Sequence, residues 1–327
     1  MNWKLKGMLQ RALSHLPYGS WMHFHLQRRF GGLRDFNREF DVKLSDWTIM
    51  LRRLGEAGFD ISGKRLFEIG SGWYPTFPLA CYLGGAARVT TVDLNRHMRP
   101  GLLRACAERL GENLSTLCAA TGADEASVRA RHSKLIEVLG HGGDLASATS
   151  GVIDYRAPAD ATRTGLEDGQ IDCIFSNSVL EHVPLAVIGA MFAEARRILD
   201  TDGVMFHSVN CGDHYAYVDR SINQLNYLRF SDEQWNRWNN AFLYQNRLRA
   251  HVFIEQAEAA GFEILLNTAK ASDLRLSQLA SMPVHPQFSA IPAERLCITS
   301  IDFIARKSVN SEAAAGIIED QNLNPGA

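Results

Sequence analysis

The stretch from Leu66 to Pro75, Leu-Phe-Glu-Ile-Gly-Ser-Gly-Trp-Tyr-Pro, limits what this chain can fold into more than any other. Apolar residues up to Ile69 predict a short buried strand. Gly70 then predicts a tight turn, at which another molecule can come close to the backbone. Glu68 lies inside the strand, where a buried carboxylate is costly unless it has a partner. The stretch therefore predicts a strand that ends at a binding site.

Residues 88–95 predict a second strand, and Asp93 at its end is placed to accept hydrogen bonds from the ribose of a nucleoside. A dinucleotide-binding turn would need Gly-x-Gly-x-x-Gly, whose third glycine lets a helix pack closely on the strand. Pro75 stands at that third position, and the bulky Trp73 and Tyr74 come before it. The two strands therefore favour a nucleoside pocket and disfavour a dinucleotide.

The string Glu68-x-Gly70-x-Gly72, followed by Asp93, resembles the first motif of the class I S-adenosylmethionine (SAM) dependent methyltransferases. The resemblance implies an α/β fold with a Rossmann-like seven-stranded sheet, its last strand antiparallel, helices on both faces and additional helical insertions. It also implies SAM as the cofactor. The glycine turn would lie beside the amino acid part of SAM, and Asp93 would hold the ribose.

Later segments resemble further motifs of the same superfamily, in the same order. Residues 152–156 predict a third strand, after which the resemblance implies that Asp160 and Ala161 read adenine. Residues 169–178 predict a buried fourth strand, and the passage 179–184 resembles the motif that follows it. The resemblance covers roughly residues 60–305. The cofactor-binding residues that it implies are Glu68, Gly70, Ser71, Gly72, Asp93, Leu94, Asp160, Ala161 and Asn177.

The chain divides into three predicted parts. Residues 1–60 form an N-terminal helical segment, whose first helix has an apolar face with basic residues among it. That helix predicts either docking on the domain, where it could close over the pocket, or peripheral contact with a membrane. Residues 61–307 form the methyltransferase domain, with helical insertions at about 97–150 and 210–250. Residues 308–327 predict a disordered tail.

Composition and charge exclude several classes of partner. The chain has 327 residues, a formal charge of −2 and a pI near 6.6, which argues against a nucleic acid partner. The six cysteines contain no C-x-x-C pair, so they predict neither a zinc site nor a disulfide framework. No apolar run could span a bilayer and no signal peptide is recognisable, so a cytoplasmic location is expected. The pattern does not indicate an oligomeric state.

Residues 210–250 are rich in aromatic and amide side chains, which is typical of a pocket for a polar small molecule. The alternative interpretation is a surface helical hairpin with ordinary aromatic packing. Under the first interpretation, this segment selects a small-molecule acceptor. The predicted substrate-binding residues are Tyr215, Asn226, Arg229 and Tyr244.

A hydroxyl acceptor would need a base because its proton must leave, and histidine suits this role near neutral pH. The predicted catalytic residues are His182 and His214, with Asp213 able to orient its neighbour His214. His207, inside the predicted fifth strand, is instead expected to be a packed residue.

The pair Glu181-His182 resembles part of the Glu-x-x-Glu-His run of ubiquinone-type O-methyltransferases, which bind a divalent ion. Ser178 replaces the first carboxylate of that run here. Losing one oxygen ligand weakens a site for magnesium, so the sequence predicts no obligatory metal.

These observations predict a SAM-dependent methyltransferase that transfers a methyl group to oxygen or nitrogen of a polar small molecule. Two alternatives remain open at this level. One is a methyltransferase that acts on a lipid-linked or membrane-bound acceptor through the N-terminal helix. The other is a non-catalytic SAM-binding module.

Overall fold

The computed structural model of the chain describes residues 2–14, 34–240 and 244–308. The predicted tail lies outside these residues except for Ser308. The following elements and contacts are those of the described ranges.

Seven strands of the described residues form a single sheet. They are β1 (Arg65–Ile69), β2 (Arg88–Val92), β3 (Ile153–Arg156), β4 (Ile171–Asn177), β5 (Leu199–Val209), β6 (Phe262–Asn267) and β7 (Ile301–Lys307). Their order in the sheet is β3-β2-β1-β4-β5-β7-β6. Strand β7 runs antiparallel to β5 and to β6, whereas the other neighbouring pairs are parallel. The predicted Rossmann-like sheet with an antiparallel last strand is thereby confirmed.

Helices lie along the chain between the strands, and no helix in the described ranges is long and apolar enough to cross a membrane. The α-helices are α1 (Trp3–Ser14), α2 (Phe36–Glu56), α3 (Thr76–Leu83), α4 (Pro100–Gly111), α5 (Leu114–Thr121), α6 (Glu125–Gly140), α7 (Leu145–Ala148), α8 (Leu185–Ile198), α9 (Asp232–Asn236), α10 (Ala250–Ala259), α11 (Asp273–Ala280) and α12 (Ala293–Leu296). Short 3-10 helices are formed by Leu180–His182, His214–Tyr217, Asn226–Arg229 and Pro286–Phe288.

Side chains alternate between the two faces of the sheet, as expected for strands that are covered on both sides. In β4, Cys173 and Phe175 join the core beneath α2–α7, whereas Ile174 joins the core beneath α8 and α10. Helices α4–α7 occupy the region around residues 97–150. Their buried side chains belong to the first core, so these helices widen the helical layer on that face.

The order of the strands reverses between β1 and β4. The chain builds outward from β1 through β2 to β3 and then returns to the other side of β1 to form β4 and β5. The loops that leave β1 and β4 therefore diverge. The crevice between them, at the carboxyl ends of the strands, is where ligands bind in open α/β sheets.

Three segments differ from their predicted form. Within the segment 1–60, where the periodicity of Trp47, Met50, Leu51 and Leu54 predicts a helix from Ser45, helix α2 begins nine residues earlier. Asp35 caps it there by accepting a hydrogen bond from the Arg38 amide at 3.1 Å. The apolar run 296–305 predicts a last strand that begins at Leu296, but Leu296 ends helix α12 and strand β7 begins at Ile301. Residues 210–240 and 244–249 consist of 3-10 turns, the short helix α9 and irregular backbone, and not of the predicted helical insertion.

Candidate active site

The turn after β1 crosses the end of β2. The Gly70 amide donates to the Val92 carbonyl at 2.8 Å, and the φ of Gly70 is +87°. A Cβ on Gly70 would lie 2.4 Å from Cγ2 of Val179, so this position excludes any side chain. Gly72 has a φ of +60°, and a Cβ there would meet no atom within 4 Å. The turn thus packs tightly at Gly70 and opens at Gly72.

A chain of hydrogen bonds holds the buried acid of β1. Thr91 Oγ1 donates to Glu68 Oε2 at 2.5 Å, and Ser71 Oγ lies 2.5 Å from Thr91 Oγ1. Burial raises the pKa of Glu68 to about 7. The partner that the sequence required for Glu68 is therefore Thr91, a residue that no sequence motif marks.

Asp93 joins the turns that follow β1 and β2. Its carboxylate accepts from the amide of Gly72 at 2.9 Å and from the amide of Asn95 at 2.9 Å. Leu94 beside it is 69% exposed. The ring of His97 lies 4.3 Å from the ring of Trp73, which places two aromatic faces next to Asp93. The first two predicted cofactor segments therefore meet, as expected.

The loop after β3 is attached to the same place. The amide of Ala159 donates to the carbonyl of Asp93 at 2.9 Å. Asp160 therefore follows a residue that is bonded directly to the first residue after β2. The Asp160 carboxylate is exposed and accepts from both the amide and the hydroxyl of Thr162 at 2.8 Å. These bonds lower the pKa of Asp160. Ala161 packs against the core beneath α8 and α10.

A cation that the sequence analysis did not select lies at the end of β4. Lys43, on α2, donates from Nζ to Asn177 Oδ1 at 2.7 Å. Its charge counteracts the effect of burial on the pKa of both Glu68 and Glu181. Lys43 therefore stands between the two acids of the crevice.

The turn after β4 buries a second carboxyl group. Ser178 has a φ of 56°, and Glu181 after it is only 1% exposed. The amide of Asn210 donates to Glu181 Oε1 at 3.3 Å, whereas Oε2 has no hydrogen-bond partner among the described residues. Burial raises the pKa of Glu181 to about 8.

Two histidines complete what is hereafter the Glu–His–His cluster, Glu181, His182 and His214. The rings of His182 and His214 are 5.0 Å apart, and His214 Nε2 lies 4.0 Å from Glu181 Oε1. The His182 Nδ1 is 2.6 Å from the carbonyl of Tyr244, which makes Nδ1 the donor and leaves Nε2 without a proton. Burial lowers the pKa of His182, and it lowers that of His214 to about 3. Both imidazoles are therefore neutral at pH 7.

Residues 245 and 246 bring the two histidine turns together. Gln245 accepts at Oε1 from the His214 amide (3.1 Å) and donates from Nε2 to the Gly212 carbonyl (2.6 Å). Asn246 donates from Nδ2 to the carbonyls of Leu180 and Val183, at 2.7 and 2.8 Å. No sequence motif marks this clasp, Gln245 and Asn246, because both side-chain amides connect to backbone atoms of turns that are distant in the sequence.

A family model for a methyltransferase domain (Methyltransf_23) matches residues 36–267, which is well over half of the chain. The chain belongs to this family. Its cofactor is S-adenosylmethionine, as the resemblance of the first motif implied. Among curated proteins, no sequence matches the chain significantly.

Several solved structures are similar to this methyltransferase. An S-adenosylmethionine dependent methyltransferase from Mesorhizobium loti is 13% identical, with a TM-score of 0.41 over 78% of this chain and 96% of that one. Geranyl diphosphate C-methyltransferase from Streptomyces coelicolor A3(2) is 12% identical, with a TM-score of 0.45 over 80% and 78%. The [4+2]-cyclase SpnF is 15% identical, with a TM-score of 0.43 over 80% and 82%.

The residues at the strand ends of this methyltransferase fit the cofactor. The open side of Gly72 leaves space beside the backbone for a ligand. Each carboxylate oxygen of Asp93 accepts one amide and keeps a further lone pair, which ribose hydroxyls can use. The site thus combines a small-residue turn with a free acceptor.

The structure places the predicted Asp213 away from His214. Asp213 is fully buried, and its carboxylate accepts from the Tyr215 amide and from Asn226 Nδ2, both at 2.8 Å. The prediction that Asp213 orients His214 is therefore corrected: adjacent side chains diverge, and this carboxylate anchors the 213–226 turn.

The four predicted substrate-binding residues do not lie together. Tyr215 is 2% exposed and donates to the Trp238 carbonyl at 2.9 Å, so both it and the buried Asn226 hold the segment in shape. Arg229 is exposed at the end of its 3-10 helix. Of the four, Tyr244 lies next to the cluster, where its carbonyl is bonded to His182.

Helix α1 docks on the same segment. The ring of Trp3 lies within 5.1–5.7 Å of the rings of Trp238, Tyr215 and Phe230, and its amide donates to Asp219 at 3.0 Å. On the same helix, Lys6 is close enough to His214 to lower its pKa further. The docked position expected as one alternative for α1 is therefore observed.

Proposed function

We propose that this methyltransferase transfers the methyl group of SAM to an oxygen or nitrogen atom of a polar small molecule. The carrying observation is the adjacency of two sets of residues along one chain passage. Asn177 ends β4 at the cofactor crevice, and the Glu–His–His cluster begins four residues later with the buried Glu181. The site for the methyl donor SAM and the site for the methyl acceptor would therefore lie next to each other, on the same turn after β4.

Methyl transfer is an in-line displacement at a carbon that the positive sulfonium already activates. The protein gains rate mainly by holding nucleophile, carbon and sulfur in line and by excluding water. Helix α1 and the aromatic side chains around Trp3 cover the segment that contributes His214, which supports a site closed to solvent.

The acceptor also determines whether a proton must be removed. A hydroxyl loses its proton during the reaction, whereas an amine needs only to be neutral. We assign the removal of this proton to His182 or His214, because their neutral imidazoles carry lone pairs next to the crevice. Tyr244 would contribute to acceptor binding from the same side.

For the cofactor, we assign the ribose to Asp93 and the adenine to the exposed edge formed by Leu94, Asp160 and Ala161. Lys43 would pair with the carboxylate of the methionine part of SAM. The proximity of Lys43 to Glu68 and Asn177 supports this assignment, since the crevice otherwise presents acids to an anionic group.

Calorimetry with SAM, followed by incubation of the full chain with labelled SAM and fractionated metabolite extract, tests the proposal. We expect SAM binding, release of S-adenosylhomocysteine and a labelled product whose new methyl group is attached to oxygen or nitrogen. Binding without release in every fraction would instead identify a non-catalytic SAM-binding module. A product methylated on carbon would contradict the acceptor class.

A membrane-bound or lipid-linked acceptor is a second candidate, and the outer face of α1 favours it. Leu5, Met8 and Leu9 are 48–53% exposed there, on a helix that is docked on the acceptor segment through Trp3. A variant with serine at these three positions keeps Trp3 and should lose binding to anionic vesicles if α1 contacts lipid. Equal partitioning of both proteins would exclude this candidate.

A further inference from the structure

We propose that Glu181, His182 and His214 bind one divalent first-row transition-metal ion, whose open coordination position takes the acceptor oxygen. The inference rests on the proposed function for its role in methylation, but the metal site itself can be tested without the acceptor. The Glu–His–His cluster would thus hold a metal ion, whereas the sequence predicts no obligatory metal.

Geometry is the first support. One ligand atom from each of the three side chains can be chosen so that all three atoms lie within 4.8 Å of one another. Two polar atoms of these side chains, Glu181 Oε2 and His214 Nε2, are buried and have no hydrogen-bond partner in the described part of the chain. Buried polar atoms without partners are rare, and an ion between them would satisfy both.

The second support is that each side chain is held from behind. The Tyr244 carbonyl binds Nδ1 of His182 and so leaves the lone pair of Nε2 available to an ion. The Asn210 amide binds one oxygen of Glu181 and leaves the other free. The main chain of His214 is held by Gln245. Metal-binding histidines and carboxylates are commonly oriented by such hydrogen bonds on their far side.

The set of donor atoms selects the class of metal. Two neutral imidazoles and one carboxylate suit zinc, iron, cobalt or manganese, whereas magnesium and calcium prefer sites made of oxygen. Zinc bound by three protein ligands keeps a further position open for a substrate. Tetrahedral bonds of about 2.0–2.2 Å place ligand atoms about 3.4 Å apart, so the three atoms would have to approach one another by up to about 1.4 Å.

Charge favours an acceptor that binds as an anion. Glu181 would supply a single negative charge to a dication, and Lys43 and Lys6 add positive charge nearby. An oxyanion from the acceptor completes the balance. With the ion bound, the imidazole lone pairs of His182 and His214 act as metal ligands and no longer as bases. The acceptor hydroxyl then loses its proton to water, and its oxygen bonds to the methyl carbon. The carbon–sulfur bond breaks with its electron pair on sulfur, which releases neutral S-adenosylhomocysteine.

The site also explains how Ser178 is tolerated at the position where the ubiquinone-type run has a carboxylate. His214, from the turn after β5, brings the third ligand to Glu181 and His182. A motif search along the chain would miss this ligand because it is contributed by a different loop.

The test uses the full chain, stripped with a chelator and titrated with Zn²⁺ alone against a chromophoric competitor, and with Co²⁺ followed by its visible absorption. We expect one equivalent to bind with a Kd in the micromolar range or below. Glu181→Gln and His214→Gln should each weaken Zn²⁺ binding by at least about a hundredfold, more than the loss of an orienting hydrogen bond. Melting temperatures and SAM calorimetry show whether each variant remains folded.

His141→Gln is the matched control, because His141 is an exposed histidine at the end of α6. Absence of Zn²⁺ and Co²⁺ binding to the stripped chain would overturn the site. Equal affinities for His141→Gln and His214→Gln would overturn the assignment of the ligand. If S-adenosylhomocysteine release survives complete removal of metal, the role in methylation is wrong while the proposed methyl transfer stands.

Discussion

The two halves of the candidate active site are built in different ways. In the cofactor half, Glu68–Gly72, Asp93 and Asn177, each residue lies in or just after a strand, and the sheet itself brings the residues together. In the acceptor half, the Glu–His–His cluster and the segment 210–249, distant turns are joined by side chains. Asn246 and Gln245 make those connections.

This difference implies that the two halves can be disturbed separately. A change in the clasp should move the histidines and leave the strand ends in place. A change at Asp93 should weaken the binding of SAM and leave the histidines in place. The following predictions are ordered from the largest expected effect to the smallest.

Replacing Asn246 with alanine should lower the free energy of unfolding by about 2–4 kcal/mol, because the carbonyls of Leu180 and Val183 would lose their shared donor. Urea unfolding measures this loss. S-adenosylhomocysteine release should fall while SAM affinity stays within a factor of two.

Asn113→Ala is the control, since it removes one comparable side-chain bond, to the Arg109 carbonyl, from the helical layer. If Asn246→Ala weakens SAM binding as strongly as it lowers release, the halves are not independent.

Asp93→Asn should weaken SAM binding by about 1.5–3 kcal/mol, or roughly tenfold to a hundredfold, because hydrogen bonds to a charged acceptor are lost. Calorimetry measures the affinity, and Zn²⁺ affinity should not change. The control is Asp154→Asn on neighbouring β3, whose carboxylate pairs with Arg88 and Arg156. An unchanged SAM affinity in Asp93→Asn would remove the ribose assignment.

The pH dependence of stability should reveal the buried acid of the cofactor half. The folded pKa of Glu68, about 7, lies above its ordinary 4.5. The folded protein therefore holds the Glu68 proton more tightly than the unfolded chain does, and this stabilises the fold most strongly below pH 4.5. The stabilisation is lost as the pH rises from 4.5 to 7, by at most about 1.4 kcal/mol per pH unit. Glu68→Gln should remove this pH dependence. In urea unfolding, the free energy of unfolding of the variant should therefore rise relative to that of the natural protein between pH 5 and pH 7.5. Parallel curves for the two proteins would show that Glu68 titrates normally.

Lys43→Met should weaken SAM binding by about fivefold, the size expected for a partly exposed ion pair. The reduction should shrink at high salt because exposed charges are screened. Lys64→Met, at the opposite end of β1, should have no effect on the affinity. A salt-independent loss in Lys43→Met would point to packing and not to charge.

The cofactor half was largely predictable because its signals are local. The turn at Gly70 and the acids at Glu68 and Asp93 are spaced by strand lengths, and parallel strands present their carboxyl ends at one edge. The seven-stranded sheet with its antiparallel last strand was implied by the resemblance to the class I methyltransferases. Thr91 and Lys43 were missed because a threonine in a strand and a lysine on a helix carry no distinctive pattern.

The acceptor half was poorly predictable because its residues act through long-range contacts. Tyr215 and Asn226 have the composition of a binding pocket, but they are buried in support of the turn. Asp213 is adjacent to His214 in sequence, yet its carboxylate points into a different set of bonds. His207 was predicted to be a packed residue, and it is 0% exposed between Phe192 and Phe303. This prediction succeeded because the position of His207 within strand β5 can be read from the neighbouring sequence.

The sequence by itself determined the α/β sheet, the family and the end of the sheet to which we assign SAM, because strand periodicity and glycine turns are short-range properties. Only the tertiary structure decided which side chains surround the acceptor. Glu181 and His182 meet His214 because amides at residues 245 and 246 satisfy the backbone of two separate turns. That satisfaction depends on burial, which no local pattern encodes.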